Sequence, residues 1–162
     1  MKTRIALTIA IAAFFALALA ACGGPATLTA LKTTKDKQGK TAASTYKAGE
    51  VIYASAEIGG GSKSSVKFTL IATEDADGVK KGEALPKSDV KVDMPGGGTA
   101  QYQLTIPAGF QSGKFTVNAE LVDEKGAKVD TKTAAITIEG APAPAAPPAN
   151  ADDKGHDDKD AK

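Results

Sequence analysis

The feature that most limits the fold of this chain is an alternation of apolar and polar residues that runs from Thr27 to Glu139. Apolar side chains recur at every second position, as at Val66, Phe68 and Leu70, and polar residues fill most of the positions between them. A period of two places the two sets of side chains on opposite faces of a strand. The pattern therefore predicts half-buried β-strands rather than amphipathic helices.

Clusters of glycine, proline and aspartate interrupt the alternation and predict turns. They include Asp77-Gly78, Pro107-Ala108-Gly109 and the glycine triplets at 59–61 and 96–98. The turns leave room for about seven short strands, with the first near Leu28. Short strands at such intervals favour an all-β, antiparallel β-sandwich over a barrel.

The first 21 residues have the organisation of a secretion signal. Lys2 and Arg4 give the segment a short, positively charged N-terminal region, and an almost wholly apolar run follows from Ile5 to Ala18. This run is too short for a permanent membrane span, and small residues follow it closely. We therefore predict that residues 1–21 are a signal peptide.

Leu19-Ala20-Ala21-Cys22 ends this segment and resembles the lipobox of bacterial lipoproteins. The resemblance implies cleavage before Cys22, lipid on its thiol and, usually, acylation of the new amine, which together anchor the chain stably in a membrane. Gly23 rather than aspartate follows, which in enteric bacteria implies the outer membrane, facing the periplasm. The alternative is an ordinary signal peptide before a chance cysteine. Because Cys22 is the only cysteine, that alternative leaves a free thiol in an oxidising compartment.

Composition argues against several classes of partner. The chain after residue 21 is close to neutral, so nothing suggests electrostatic capture of nucleic acid. Arg4 is the only arginine, which argues against bidentate recognition of phosphate or carboxylate. The chain has no tryptophan and few aromatic residues, so a stacking platform for sugars or bases is not expected.

Within residues 27–139, several segments resemble parts of bacterial immunoglobulin-like domains. The last strands of such domains are similar to Leu104-Thr105-Ile106-Pro107, Gly113–Ala119 and Val122–Gly126. The entry to their second strand is similar to Tyr46–Val51. The resemblance implies an immunoglobulin-like sandwich for 27–139. Residues 22–26 are then expected to be the lipidated N-terminus and a short spacer between the lipid and the fold. The chain departs from antibody-type domains because it has no cysteine pair and no tryptophan.

The sequence offers no group of residues suited to catalysis in this domain. His156, the single histidine, lies near the C-terminus, so no serine or cysteine triad can form within 27–139. Zinc sites need several histidine or cysteine ligands. No two acidic residues stand out as a convergent pair, and we therefore predict a non-enzymatic protein without a cofactor.

Two acidic segments are weak candidates for a divalent cation. Asp75 and Asp77 fit the third and fifth positions of an EF-hand loop, but Thr73 and Ala84 replace its first and last ligands. A hairpin turn on Asp77-Gly78 explains the same residues more simply. In the tail, His156 stands among several aspartates, although such tracts are more often solvated.

Composition changes at Gly140, and the segment 140–162 combines a proline- and alanine-rich linker with a charged end. We predict that it is disordered, because it contains no large apolar residue. The leading functional hypothesis is a lipid-anchored envelope lipoprotein whose domain binds or scaffolds a protein partner. The alternatives are a lipoprotein that binds a divalent metal or small ligand, and a spacer that carries the tail away from the membrane.

Overall fold

The computed structural model describes residues 24–141, which form two β-sheets without a helix. Strand order is β1-β3-β6 in the three-stranded sheet and β2-β8-β7-β4-β5 in the five-stranded sheet. The all-β prediction is confirmed. The strands are β1 (Thr27–Thr34), β2 (Thr45–Lys47), β3 (Val51–Gly59), β4 (Ser64–Ala72), β5 (Val90–Met94), β6 (Gly98–Thr105), β7 (Gly113–Asp123) and β8 (Lys128–Glu139).

The expectation of about seven strands, all antiparallel, needs correction at β2. This strand makes the total eight, and it pairs with β8 in parallel, with Tyr46 opposite Ile138. The other five strand pairs are antiparallel. With three residues and one buried side chain, that of Tyr46, β2 is too short for an alternation to reveal it.

The strongest alternations form the centre of the five-stranded sheet. β4 buries Val66, Phe68 and Leu70 completely, and it pairs with β7 along its whole length. Phe68 lies opposite Ala119 and Leu70 lies opposite Val117, so a larger side chain of β4 faces a smaller one of β7. Cross-strand pairs of this kind fill the core face without crowding it.

One hydrophobic core joins the two sheets. Ile52, Ala56 and Tyr102 of the three-stranded sheet are buried in the same cluster as Phe68 and Leu121 of the five-stranded sheet. Core positions at the sheet edges are less well covered. Val90 in β5 is 38% exposed, because β5 pairs only with β4.

Candidate functional site

The loops of the domain gather at two opposite ends. Strand register defines them, because Thr27 lies opposite Gly59 at one end, while Thr105 lies opposite Val51 at the other. We call the first end the base; it contains residues 24–26 and the loops 60–63, 95–97 and 124–127. We call the second the distal end; it contains the loops 35–44, 48–50, 73–89 and 106–112 and residues 140–141.

The acidic segment around Asp77 forms a tight turn at the distal end. Asp77 and Gly78 have φ values of 51° and 78°. On either side of them, Ala76 and Val79 exchange backbone hydrogen bonds of 3.0 and 2.9 Å. Two central residues with positive φ are typical of the turn that a two-residue hairpin favours, and here the sequence prediction of a turn on Asp77-Gly78 is correct.

The carboxylates of Asp75 and Asp77 each contact loop backbone. Asp75 Oδ1 accepts a hydrogen bond from the Lys81 N–H at 2.8 Å, and Asp77 Oδ1 accepts one from the Gln111 N–H at 3.4 Å. Across residues 24–141, no three aspartate, glutamate, histidine or cysteine side chains are grouped so that they could hold a metal ion. The other predicted site residues, Cys22 and His156, lie outside the described residues.

An apolar groove of 420 Å³ opens at the distal end beside β6. It lies between the end of β6 and the loop that connects β4 to β5. Its apolar lining comes from Val79, Leu85, Pro86, Leu104, Pro107 and Phe110. Lining side chains come from three separate stretches of chain, so the alternation along any one strand gives no sign of the groove. The local signals are Val79 and the apolar pair Leu85-Pro86, in a loop that is otherwise mainly polar.

The groove adjoins a strand edge that lacks the usual protection. Within residues 24–141, β6 pairs with β3 on one side only. Its sequence, GTAQYQLT, contains neither a charged residue nor proline, the residues that commonly prevent edge pairing. By contrast, the edge strand β5 carries two charged residues, Lys91 and Asp93. The edge of β1 is partly covered by the following loop, because the Ala43 N–H donates to the Thr33 carbonyl.

Two residues on the rim of this groove have a backbone conformation that side chains disfavour. Asp77 and Lys87 are the only non-glycine residues among those described with positive φ. Lys87, with φ 62°, follows Pro86 in a turn closed by the Ser88 N–H and the Leu85 carbonyl at 3.1 Å. Glycine is the usual residue at this position of such a turn. Strained residues of this kind concentrate at binding and catalytic sites.

The perturbed ionisable groups are engaged in structural contacts. Hydrogen bonding to the Lys47 N–H, and then to the Lys35 ammonium, lowers the pKa of Glu50. Burial raises the pKa of Tyr46, whose hydroxyl donates to the Thr34 carbonyl at 3.0 Å. Burial likewise raises the pKa of Tyr102. Each group is bound to backbone or to a neighbouring lysine, so these shifts describe packing rather than acid–base chemistry.

A smaller hollow of 170 Å³ lies on the outer face of the three-stranded sheet. Tyr53, Gln101 and Gln103 form its floor, and Lys37 of the first distal loop forms part of its wall. Its lining combines polar and apolar surface, with a smaller apolar share than the groove has, and contains one half-exposed aromatic ring, that of Tyr53. It is therefore a less suitable surface than the groove for an apolar partner segment.

No segment of residues 24–141 forms a helix long and apolar enough to cross a membrane. No family model matches the chain, and no curated protein matches it either.

Among solved structures, the chain is similar to part of a β-glucosidase from Listeria innocua in complex with glucose, with 14% identity and a TM-score of 0.41. It is also similar to part of a family 123 glycoside hydrolase from Clostridium perfringens, with 10% identity and a TM-score of 0.34. Each match covers 69% of this chain but only 16% and 27% of those chains, respectively. At such TM-scores the likeness carries no inference about activity.

Proposed function

We propose that this chain is a non-enzymatic lipoprotein of the cell envelope, anchored through lipid on Cys22, whose domain binds a protein partner. The favoured location is the outer membrane, on the side that faces the periplasm. Two features support the proposal: the resemblance of Leu19–Cys22 to a lipobox, and the positions of the N-terminal segment and the groove at opposite ends of the domain.

An immunoglobulin-like fold is part of this proposal. Two sheets that share one core and a strand pattern like that of bacterial immunoglobulin-like domains support it. Domains with this architecture serve many unrelated functions, so the fold alone does not identify the partner. Binding is therefore inferred from particular surfaces of the domain.

The observation that carries the proposal is the separation of the N-terminal segment from the groove. Residues 24–26 lie at the base, whereas the groove lies at the distal end. β8 has 12 residues and runs between these ends, which corresponds to a length of about 40 Å. A lipid on Cys22 would thus hold the base near the membrane and leave the distal end free to meet a partner.

The chemistry of the distal end favours an extended partner segment with apolar side chains. The free edge of β6 offers backbone donors and acceptors to a strand, and the adjacent groove offers an apolar surface to alternate side chains of that strand. Strand addition of this kind derives affinity from the backbone and specificity from the pocket.

Site-specific photocrosslinking in cells tests the proposal. A photoreactive amino acid replaces Leu104, on the groove, or Lys67, on the exposed face of the five-stranded sheet. We expect one discrete crosslinked partner from position 104 and not from position 67. Equal capture from both positions, or capture from neither, would contradict binding at the groove.

A further inference from the structure

The N-terminal segment is held firmly against the base of the domain. The Gly24 carbonyl accepts hydrogen bonds from the Gly61 N–H at 3.1 Å and from Ser62 Oγ at 3.3 Å. Two residues later, Ala26 is buried in the core, and the Leu28 N–H donates to Asp130 Oδ2 at 3.2 Å. From Gly24 onward, the chain is therefore part of the folded domain rather than a free tether.

Glycine at position 60 makes this attachment possible. A Cβ atom on Gly60 would lie 2.3 Å from the Pro25 carbonyl oxygen, and the backbone there has φ +87°. The base loop 95–97 packs closely against Gly60, since a Cβ on Gly97 would lie 2.6 Å from the Gly60 carbonyl oxygen. The glycines of these two loops thus allow the N-terminal segment and both loops to stack closely.

The position of Gly24 sets a limit on the distance to a lipid. Only Gly23 separates Cys22 from Gly24, and two residues of extended chain span at most about 7 Å. The interfacial layer of one bilayer leaflet is itself about 5–8 Å thick. A lipid on the Cys22 thiol consequently leaves no room for a water-filled gap between the base and the membrane.

Charges of both signs lie at the base and on the adjoining strand β5. Lys63 pairs with Glu124 at 3.8 Å, and Lys91 pairs with Asp93 at 3.1 Å. All four side chains are well exposed, so the pairs contribute little to stability. The other lysine of the base, Lys125, stands next to Asp123 and Glu124 in the chain. Attraction to anionic lipid is therefore not what would orient the domain.

We propose that the base of the domain rests on the lipid headgroups, so that the domain stands upright and the groove faces away from the membrane. The inference depends on the lipid anchor of the proposed function and adds a fixed orientation to it. Orientation arises from the short connection between Cys22 and the bound Gly24, not from affinity of the base for lipid.

Energy transfer on vesicles tests this orientation. The chain from Cys22 onward, which includes every described residue, is coupled through the Cys22 thiol to a maleimide phospholipid in vesicles of phosphatidylcholine and phosphatidylethanolamine. A fluorescent amino acid occupies position 125, in an exposed turn of the base, or position 109, in an exposed loop of the distal end. Acceptor dye is carried on the lipid headgroups.

We expect transfer from position 125 to exceed that from position 109 at least about twofold, because the two ends differ in height by about 40 Å. The ratio should be unchanged in high salt and when anionic lipid is added, since the base carries no net attraction. Equal transfer from the two positions would overturn the proposal.

Two variants separate orientation from simple proximity to the membrane. An insertion of four residues, Gly-Ser-Gly-Ser, between Gly23 and Gly24 leaves the domain intact but lengthens its connection to the lipid. We expect the ratio of transfer from position 125 to transfer from position 109 to fall towards one. Gly60→Ala should also lower the ratio by displacing Pro25. Gly82→Ala is its matched control, because Gly82 has φ +85° with nothing within 4 Å.

Chemical coupling makes the orientation test independent of lipidation in cells. Mass spectrometry of the N-terminal peptide from cell membranes tests that lipidation separately. An acylated Cys22 with equal transfer from both positions would refute the orientation alone. An unmodified Cys22 would refute the proposed lipoprotein, whatever the vesicles show.

Discussion

The ring of Tyr102 stacks on the ring of Phe68, with the ring centroids 5.2 Å apart and the planes inclined at 22°. Tyr102 belongs to β6 in the three-stranded sheet and Phe68 to β4 in the five-stranded sheet, so this pair joins the two sheets at the centre of the core. The Tyr102 hydroxyl also donates to the Ser88 carbonyl at 3.1 Å. That bond fixes the loop between β4 and β5, which forms one wall of the groove.

Replacement of these two rings should reduce stability by different mechanisms. Phe68→Ala removes a fully buried ring and should lower the free energy of unfolding by about 3–5 kcal/mol. Tyr102→Phe keeps the ring but leaves the Ser88 carbonyl without its donor, at a cost of about 1–2 kcal/mol. Urea unfolding followed by circular dichroism measures both.

Tyr53→Phe serves as the control for the hydroxyl. Tyr53 lies in β3, next to β6, but its ring is half-exposed on the outer face of the sheet. Its free energy of unfolding should change by less than about 0.5 kcal/mol. A similar loss for Tyr102→Phe and Tyr53→Phe would contradict a specific role for the bond to Ser88.

Stability should fall at alkaline pH. Burial, and secondarily the negative charge of Asp89, raises the pKa of Tyr102 above the ordinary tyrosine value of 10.0. The folded chain then holds this proton more tightly than the unfolded chain does. Its contribution is therefore complete below pH 10.0 and is lost as the pH rises above that value.

The test is to compare unfolding of the wild type and Tyr102→Phe between pH 8 and 11. We expect the variant to show the shallower decline, because it lacks one of the two buried tyrosines, Tyr46 being the other. Declines of equal slope would show that ionisation of Tyr102 does not destabilise the fold.

A charge at the groove end of β6 should abolish binding of the partner strand without loss of the fold. Leu104 is half-buried on the groove, and a lysine in its place can keep its aliphatic stem on the core while its ammonium reaches water. Leu104→Lys should therefore lose the partner that in-cell chemical crosslinking and affinity purification recover with the native protein. Thr99→Lys, exposed at the other end of β6, should retain it.

Circular dichroism of both lysine variants must show wild-type strand content for this comparison to be valid. Partner capture by Leu104→Lys at the wild-type level would place the binding surface somewhere other than the groove.

The strands with long alternations could be predicted from the sequence because burial on one face determines every second residue. Phe115, Val117, Ala119 and Leu121 follow this rule along β7, and all four are buried. β5 shows the limit of the rule. Val90, Val92 and Met94 alternate as well, but at the edge of a sheet the same pattern leaves them half-buried or exposed.

Features that depend on contacts between distant segments could not be predicted in this way. The parallel pairing of Tyr46 with Ile138 joins residues far apart in the chain, and three residues contain no directional signal. The groove combines side chains from separate loops, so its formation depends on the fold as a whole. The glycine triplet at 59–61 predicts a turn. That Gly60 also leaves space for the backbone of Pro25 depends on how the N-terminal segment packs, which the local sequence does not indicate.

Whether an anchored domain binds a partner is decided by comparing partner capture by the native protein with capture by a Cys22→Ser variant that is exported without lipid. In-cell crosslinking is followed by affinity purification, with the two proteins matched in amount. We predict one discrete partner with the native protein, lost or weakened in Cys22→Ser, because the anchor holds the domain at the membrane with its groove turned towards the periplasm, where the partner lies. The absence of any discrete partner with either protein would contradict partner binding by this domain.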